Sequence, residues 1–440
     1  MEDVSIDQND SRMKIATRNI ILMMIGKMTS LLGAGIYTFA MGLYVLKTTG
    51  SGMGFATTLV CGSLPRMVCG PIAGAVADRV NRKWLVIGTD LLSSLTMLIM
   101  FILATIFGPS LLFIYVSAAL LSICASFYSV ALTSSIPNLV DEGRIQKASA
   151  LNQTAASLSN ILGPIIGGVV FGFFSIQSFF LLNSITFFLA VILQLFIVFD
   201  LYKKEVAESK EYFLTSIKQG FSYVKRQHEI YGLMKIALWV NFFACGLTVA
   251  LPYIIIHTLH LSSKQLGTVE GMLAVGMLMG AIALSVRKEV NNPFRSIYTG
   301  LFLFAGLSLC TVFPLLVTLP KVASFIYYIA FMMLTGIAIM IVNIPMQVHM
   351  QKTTDPSYLG RVFGLLETIA TAIAPLGMIV YGLLLDMLPT SIVMMTIGGG
   401  LLLVVLVGVR QHMDKKTSGC VGVTINKNFE GKALFYFEYK

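Results

Sequence analysis

Residues 74–83, GAVADRVNRK, place four charged side chains between two long apolar runs. These side chains are Asp78, Arg79, Arg82 and Lys83. So short a stretch leaves room only for a tight turn between the two flanking segments. It therefore predicts a charged turn that joins two membrane-crossing helices, with its basic residues on the cytoplasmic side.

The composition around this turn is that of a membrane protein. Of the 440 residues, 56% are hydrophobic and only 12% are charged, whereas a soluble domain carries about 25% charged residues. The net charge of +10 is spread over many short loops, so we expect no nucleic-acid partner. The six cysteines form no Cys-x-x-Cys pair, and we expect no bound metal.

Apolar segments long enough to cross a bilayer follow one another along the chain. We predict an all-α membrane protein with twelve transmembrane helices in two six-helix halves. The predicted helices run over 19–46, 52–77, 83–107, 110–133, 149–173, 176–200, 231–256, 265–286, 296–318, 322–344, 360–385 and 390–410.

The charged segment 201–230 divides these helices six and six. Its amphipathic pattern favours a helix lying on the membrane surface. The predicted organisation is an N-terminal arm, a first bundle, this connector, a second bundle and a tail, over 1–18, 19–200, 201–230, 231–410 and 411–440.

Basic residues set the orientation. With the N-terminus inside, the outer loops carry only Lys47, Lys264 and Lys321 of the 31 lysines and arginines, and most others fall on the cytoplasmic side. We expect a multi-pass protein of the cell membrane with both termini in the cytoplasm.

The two halves repeat a pattern. Residues 134–168 and 343–382 both carry Ile-Pro near their start, continue through a charged turn and enter a helix with a Pro-x-x-Gly or Ala-Pro-x-Gly kink. Two halves related by such a repeat imply alternating access around a central site.

At these residues the chain resembles the major facilitator superfamily, over nearly its whole length except the tail. The turn Gly74-x-x-x-Asp78-Arg79-x-x-Arg82-Lys83 is similar to the most typical signature of that family. The stretches LPRMVCGPIAGAVADR (64–79), LVIGTDLL (85–92) and SFYSVALTSSIPNLV (126–140) resemble the drug-efflux branch that contains macrolide efflux proteins and siderophore exporters.

The resemblance implies a role for this turn. Gly74 would let the second helix approach a neighbour closely, and Asp78 would face the N-terminus of the eleventh helix, near Gly360, as a latch in the state closed to the cytoplasm. Arg79, Arg82 and Lys83 would hold the cytoplasmic side. The alternative is a topology anchor only.

The fifth helix carries Gly163-Pro164-x-x-Gly167-Gly168, which is similar to the antiporter motif of the family, although Ser159 stands where that motif has glycine. Pro164 bends the helix, and the glycines allow close packing at the boundary between the halves. The resemblance implies that this motif restricts leak during exchange, and the alternative is a simple kink.

Ionisable residues inside membrane spans cost about 2.5–3.5 kcal/mol each on insertion scales, so each is a site hypothesis. Lys27, Arg66 and Asp90 lie at comparable depth in the first half, and we predict that Asp90 pairs with Arg66 or Lys27. Because a carboxylate without a firm partner binds a proton more readily, Glu270 and Glu367 are the candidate proton carriers.

We predict a secondary transporter, not an enzyme, that exports small drug-like or siderophore-like amphipathic compounds by proton antiport. It would act as a monomer in the lipid bilayer, with the proton gradient as driving force and no cofactor. Three alternatives remain, namely a nutrient symporter or importer, a lipid flippase on the same fold, and a membrane scaffold or sensor.

Overall fold

The computed structural model describes most of the chain, namely residues 2–77, 79–171, 173–202, 221–286, 293–317, 319–354, 362, 365–366, 368 and 372–419. These residues form helices joined by short turns and contain no strand. Twelve helices of 14 or more residues organise them: α1 Glu2–Thr49, α2 Gly52–Ala77, α3 Arg82–Phe107, α4 Leu111–Leu139, α5 Ile145–Val170, α6 Ile176–Leu195, α7 His228–Tyr253, α8 Ser263–Val286, α9 Pro293–Cys310, α10 Lys321–Thr353, α11 Ala374–Met387 and α12 Thr390–Gly419.

Nine of the described helices are long and apolar enough to cross a membrane. Neither α2 nor α5 is among the nine, and the described part of α11 has 14 residues. The helical architecture agrees with the prediction. One end differs, because α1 continues through the predicted polar arm, where no Gly or Pro occurs before Gly26 to end a helix.

Short turns begin several helices with a side-chain cap. Asn81 accepts a hydrogen bond from the Lys83 amide at the start of α3, and Ser110 accepts one from the Leu112 amide at the start of α4. Each cap satisfies a backbone donor that has no partner within its own helix. The sequence thus determines where these two helices begin.

The helices of each half pack in the same order. In the first half α1 contacts α5 and α6, α2 contacts α4, and α3 contacts α4 and α6. In the second half α7 contacts α11 and α12, α8 contacts α10, and α9 contacts α10 and α12. Adding six to each number of the first set produces the second set, so the helix packing has the repeat that the sequence predicts.

The described halves meet mainly through α2 with α11 and α5 with α8. These contacts lie toward the face at which α1 ends and α2 begins. We call it the outer face, because the charge distribution predicts that it points away from the cytoplasm. A buried core crosses the boundary there, with Leu43 and Phe55 of the first half beside Val249, Tyr381 and Leu385 of the second.

Candidate functional site

A cavity system lies at the boundary between the halves. One cavity of about 470 Å³ extends into the second half, between α7, α8, α9 and α10. Another of about 360 Å³ extends into the first half, between α1, α2 and α4. Pro164, Thr248 and Glu270 line both, which places these three residues where the two cavities meet.

The walls of the larger cavity are mostly apolar. Leu247, Leu251, Phe304, Phe331 and Met332 contribute to them. Such a lining favours a cargo with a large apolar surface, because contact with apolar walls removes that surface from water.

Glu270 of α8 is the acidic group of this cavity system. Its side chain is half-buried, and neither cavity is lined by a second carboxylate among the described residues. No hydrogen bond or ion pair joins it to another described side chain. A carboxylate in such surroundings can bind a proton or an organic cation, and its role as proton carrier stays a prediction.

Arg66 of α2 lines the smaller cavity together with Glu270. Two serines of α4 hold its backbone, since the Arg66 amide donates to Ser122 Oγ at 3.1 Å and Ser126 Oγ donates to the Arg66 carbonyl at 3.3 Å. The cavity therefore receives one positive side chain from the first half and one negative side chain from the second.

The predicted ion pair of Asp90 with Arg66 or Lys27 is wrong. Asp90, which is 2% exposed, accepts hydrogen bonds from two neutral groups, Ser30 Oγ at 3.0 Å and Gln194 Nε2 at 2.6 Å. Lys27 Nζ donates instead to Asn152 Oδ1 at 2.7 Å. The depths were comparable, but α3 turns Asp90 toward α6, where Gln194 lies.

Gln194 is a residue that the sequence reasoning missed. Its amide also lies 3.4 Å from the Tyr128 hydroxyl, so it links α3, α4 and α6 inside the first half. The available signal was a single amide side chain in the otherwise apolar end of α6.

This correction makes a prediction about Lys27. Because Lys27 contacts Asn152 rather than Asp90, Lys27→Met and Asp90→Asn should destabilise the protein independently, with a coupling energy below about 0.5 kcal/mol in a double-mutant cycle. Thermal unfolding in detergent of the two single variants and the double variant measures it. A coupling of about 3 kcal/mol or more, the size expected when one partner of a buried ion pair is removed, would show that Lys27 and Asp90 form an ion pair after all.

The cytoplasmic turn is only partly described. Asp78 lies outside the described residues, as do residues 355–361, which include its expected partner near Gly360. A Cβ on Gly74 would meet nothing within 4 Å. This holds among the described residues only, and because the expected partner segment lies outside them, the close approach of a neighbouring helix at Gly74 stays a prediction.

The basic residues of this turn contact the first half. Arg82 Nη1 donates to the Ser134 carbonyl of α4 at 2.6 Å, and Lys83 Nζ lies 3.4 Å from the Leu195 carbonyl at the end of α6. Arg79 is exposed. Two of the three side chains thus bind carbonyl oxygens of α4 and α6, a geometry that suits an anchor.

The glycines of α5 separate into two groups. Gly163 and Gly167 pack on Gly35 and Phe39 of α1, inside the first half. Gly168 packs on α8, where a Cβ added to it would lie 2.8 Å from Gly267 Cα. The predicted close packing at the boundary between the halves is confirmed for Gly168, and the other two glycines serve α1 instead. The effect of the motif on leak stays a prediction.

Glu367, the second candidate proton carrier, lies outside the described residues. So do residues 203–220 of the predicted connector and residues 420–440 of the predicted tail. The candidate site therefore rests on Glu270 and Arg66 with the apolar walls around them.

Comparison with known proteins shows which family profile, relatives and solved structures this chain is similar to. The Major Facilitator Superfamily profile matches residues 23–378. Macrolide efflux protein A of Streptococcus pyogenes is 24% identical over 361 residues, covering 82% of this chain and 88% of the relative. The multidrug efflux pump Tap of Mycolicibacterium fortuitum is 26% identical over 387 residues, covering 83% and 89%. The crystal structure of the nucleoside transporter NupG matches with a TM-score of 0.63 at 14% identity, covering 91% of this chain and 99% of that structure. This is a likeness of fold.

Proposed function

The chain belongs to the major facilitator superfamily, and we propose that this transporter exports small amphipathic compounds in exchange for protons. The observation that carries the proposal is Glu270, an unpaired carboxylate at the meeting point of two cavities between the halves. The similarity to a macrolide efflux protein and a multidrug efflux pump supports the direction of transport.

The cavity walls support the class of cargo. An apolar wall formed by side chains such as Leu251, Phe304 and Phe331 binds hydrophobic surface without demanding one shape. A single carboxylate adds one polar contact. A drug-like or siderophore-like compound with an apolar body and a polar group fits this combination.

Glu270 also supports coupling to protons. A proton and a cargo that both bind one carboxylate exclude each other, so each passes the membrane on alternate half-cycles. Protonation from the outer side releases the cargo, and deprotonation toward the cytoplasm restores the carboxylate for the next cargo. Arg66 lines the same cavity, so the cavity that holds Glu270 also receives a positive side chain from the first half.

The test is transport by purified protein in proteoliposomes with an imposed pH gradient and a panel of amphipathic compounds. We expect movement of at least one compound out of the compartment that corresponds to the cytoplasm, and its loss when a protonophore collapses the gradient. Movement in the same direction as protons would indicate a symporter and contradict the proposal. Transfer of labelled phospholipid alone would favour the flippase.

A further inference from the structure

Asp386, at the end of α11, binds the beginning of α2 across the boundary between the halves. Its carboxylate accepts hydrogen bonds from Ser51 Oγ at 2.6 Å, from the Gly52 amide at 2.6 Å and from the Met53 amide at 3.2 Å. The first amides of α2 are thus bound by a side chain from the other half of the protein.

The backbone around this contact is shaped for close approach. Gly50 adopts a left-handed conformation, φ +63°, at the turn before α2. A Cβ on Gly382 would lie 2.5 Å from Ala56 Cβ, and one on Gly52 would lie 2.8 Å from Leu385 Cβ. Glycine at both positions lets α2 and α11 touch where Asp386 acts.

The contact depends on the arrangement of the halves. The first amides of a helix have no partner within it and carry partial positive charge, so a carboxylate there is stabilising. α2 keeps one cap of its own, because the Gly54 amide donates to Ser51 Oγ at 3.0 Å. The bonds from Gly52 and Met53 to Asp386 exist only while the outer ends of α2 and α11 are together.

The residues repeat a spacing seen at the opposite end of the same helix pair. Gly382-x-x-x-Asp386 ends α11, and Gly74-x-x-x-Asp78 stands at the end of α2. In both stretches a glycine precedes an aspartate by four residues, and in α11 this spacing places Gly382 and Asp386 on one helix face.

We propose that Gly382 and Asp386 form an outer latch, which stabilises the state closed at the outer face and opens when cargo leaves. The outer latch rests on the alternating access of the proposed function. It does not depend on the identity of the cargo or on proton coupling. It assigns to Asp386 a positioning role in setting how often the outer face opens.

Hydrogen–deuterium exchange of the full chain in lipid nanodiscs tests the outer latch. The informative amides lie in 165–171 and 263–270, around the contact of Gly168 with Gly267, because these segments close the outer face without contacting Asp386. In Asp386→Ala we expect exchange there to be about fivefold faster, the factor for loss of a typical N-cap. Asp386→Asn, which keeps one acceptor oxygen, should give a smaller increase.

Asp141→Ala is the matched control. Asp141 also holds a hydrogen bond, from Arg144 Nε at 2.5 Å, but the bond lies within the first half, so exchange in 165–171 and 263–270 should stay unchanged. Faster exchange in Asp386→Ala confined to 51–56 would reduce Asp386 to a local cap and overturn the proposal. If α3 and α9 also exchange faster in Asp386→Ala, the whole fold has loosened. Exchange in 165–171 and 263–270 is then compared with exchange in 51–56 in the Asp386→Asn variant, and the same two outcomes decide. The exchange experiment does not require export, so a failure of the proposed function would be detected separately, in the proteoliposome transport assay.

Discussion

Glu270→Gln should lower export driven by a pH gradient by at least about tenfold, while the protein remains folded in the membrane. Glutamine has nearly the same size and keeps hydrogen-bonding capacity, but it neither binds nor releases a proton. The expected loss corresponds to about 1.4 kcal/mol of coupling between proton and cargo. Transport in proteoliposomes with and without the gradient measures it, with a transported compound from the panel.

The control for this substitution is Glu229→Gln. Glu229 is an exposed glutamate at the start of α7, 3.4 Å from His349 Nε2 and far in sequence from the cavity-lining part of that helix. Export by this variant should keep its pH dependence. Unchanged pH dependence in Glu270→Gln would reject Glu270 as the proton carrier. It would leave Glu367, which the described residues do not include, as the other carboxylate predicted from the sequence.

The sequence was sufficient to find Glu270 but not to place it. An acidic residue within an apolar segment is detectable from composition alone, and its depth follows from a rise of about 1.5 Å per residue. The direction in which it points depends on helix packing. The same limit explains Asp90, whose depth matched Lys27 and Arg66 although α3 directs it to Ser30 and Gln194.

The fold was more predictable than the site. Long apolar segments separated by charged turns determine helices, because a backbone in hydrocarbon must satisfy its own hydrogen bonds. The internal repeat then implied two matching halves. The contact of α2 with α11 through Asp386 joins residues 334 positions apart, and no local pattern in either segment indicates its partner.

Gly168→Val should impair transport strongly by holding the outer face open. A Cβ at residue 168 would lie 2.8 Å from Gly267 Cα and 3.0 Å from the Ser263 carbonyl oxygen. Both are backbone atoms, so α5 and α8 must move apart to accept valine. Overpacking of this kind costs about 1–3 kcal/mol, which shifts the equilibrium away from the closed state by roughly 5- to 150-fold.

The effect of Gly168→Val on the outer face is measured at the other contact between the halves, that of α2 with α11. If the outer face opens as one unit, the amides of Gly52 and Met53, which donate to Asp386, should exchange faster in Gly168→Val, and export should fall in parallel. Gly88→Val is the control, because a Cβ on Gly88 meets nothing within 4 Å. Faster exchange around residue 168 alone would mean that α5–α8 and α2–α11 separate independently. Independent separation of the two contacts would contradict an opening of the outer face as one unit.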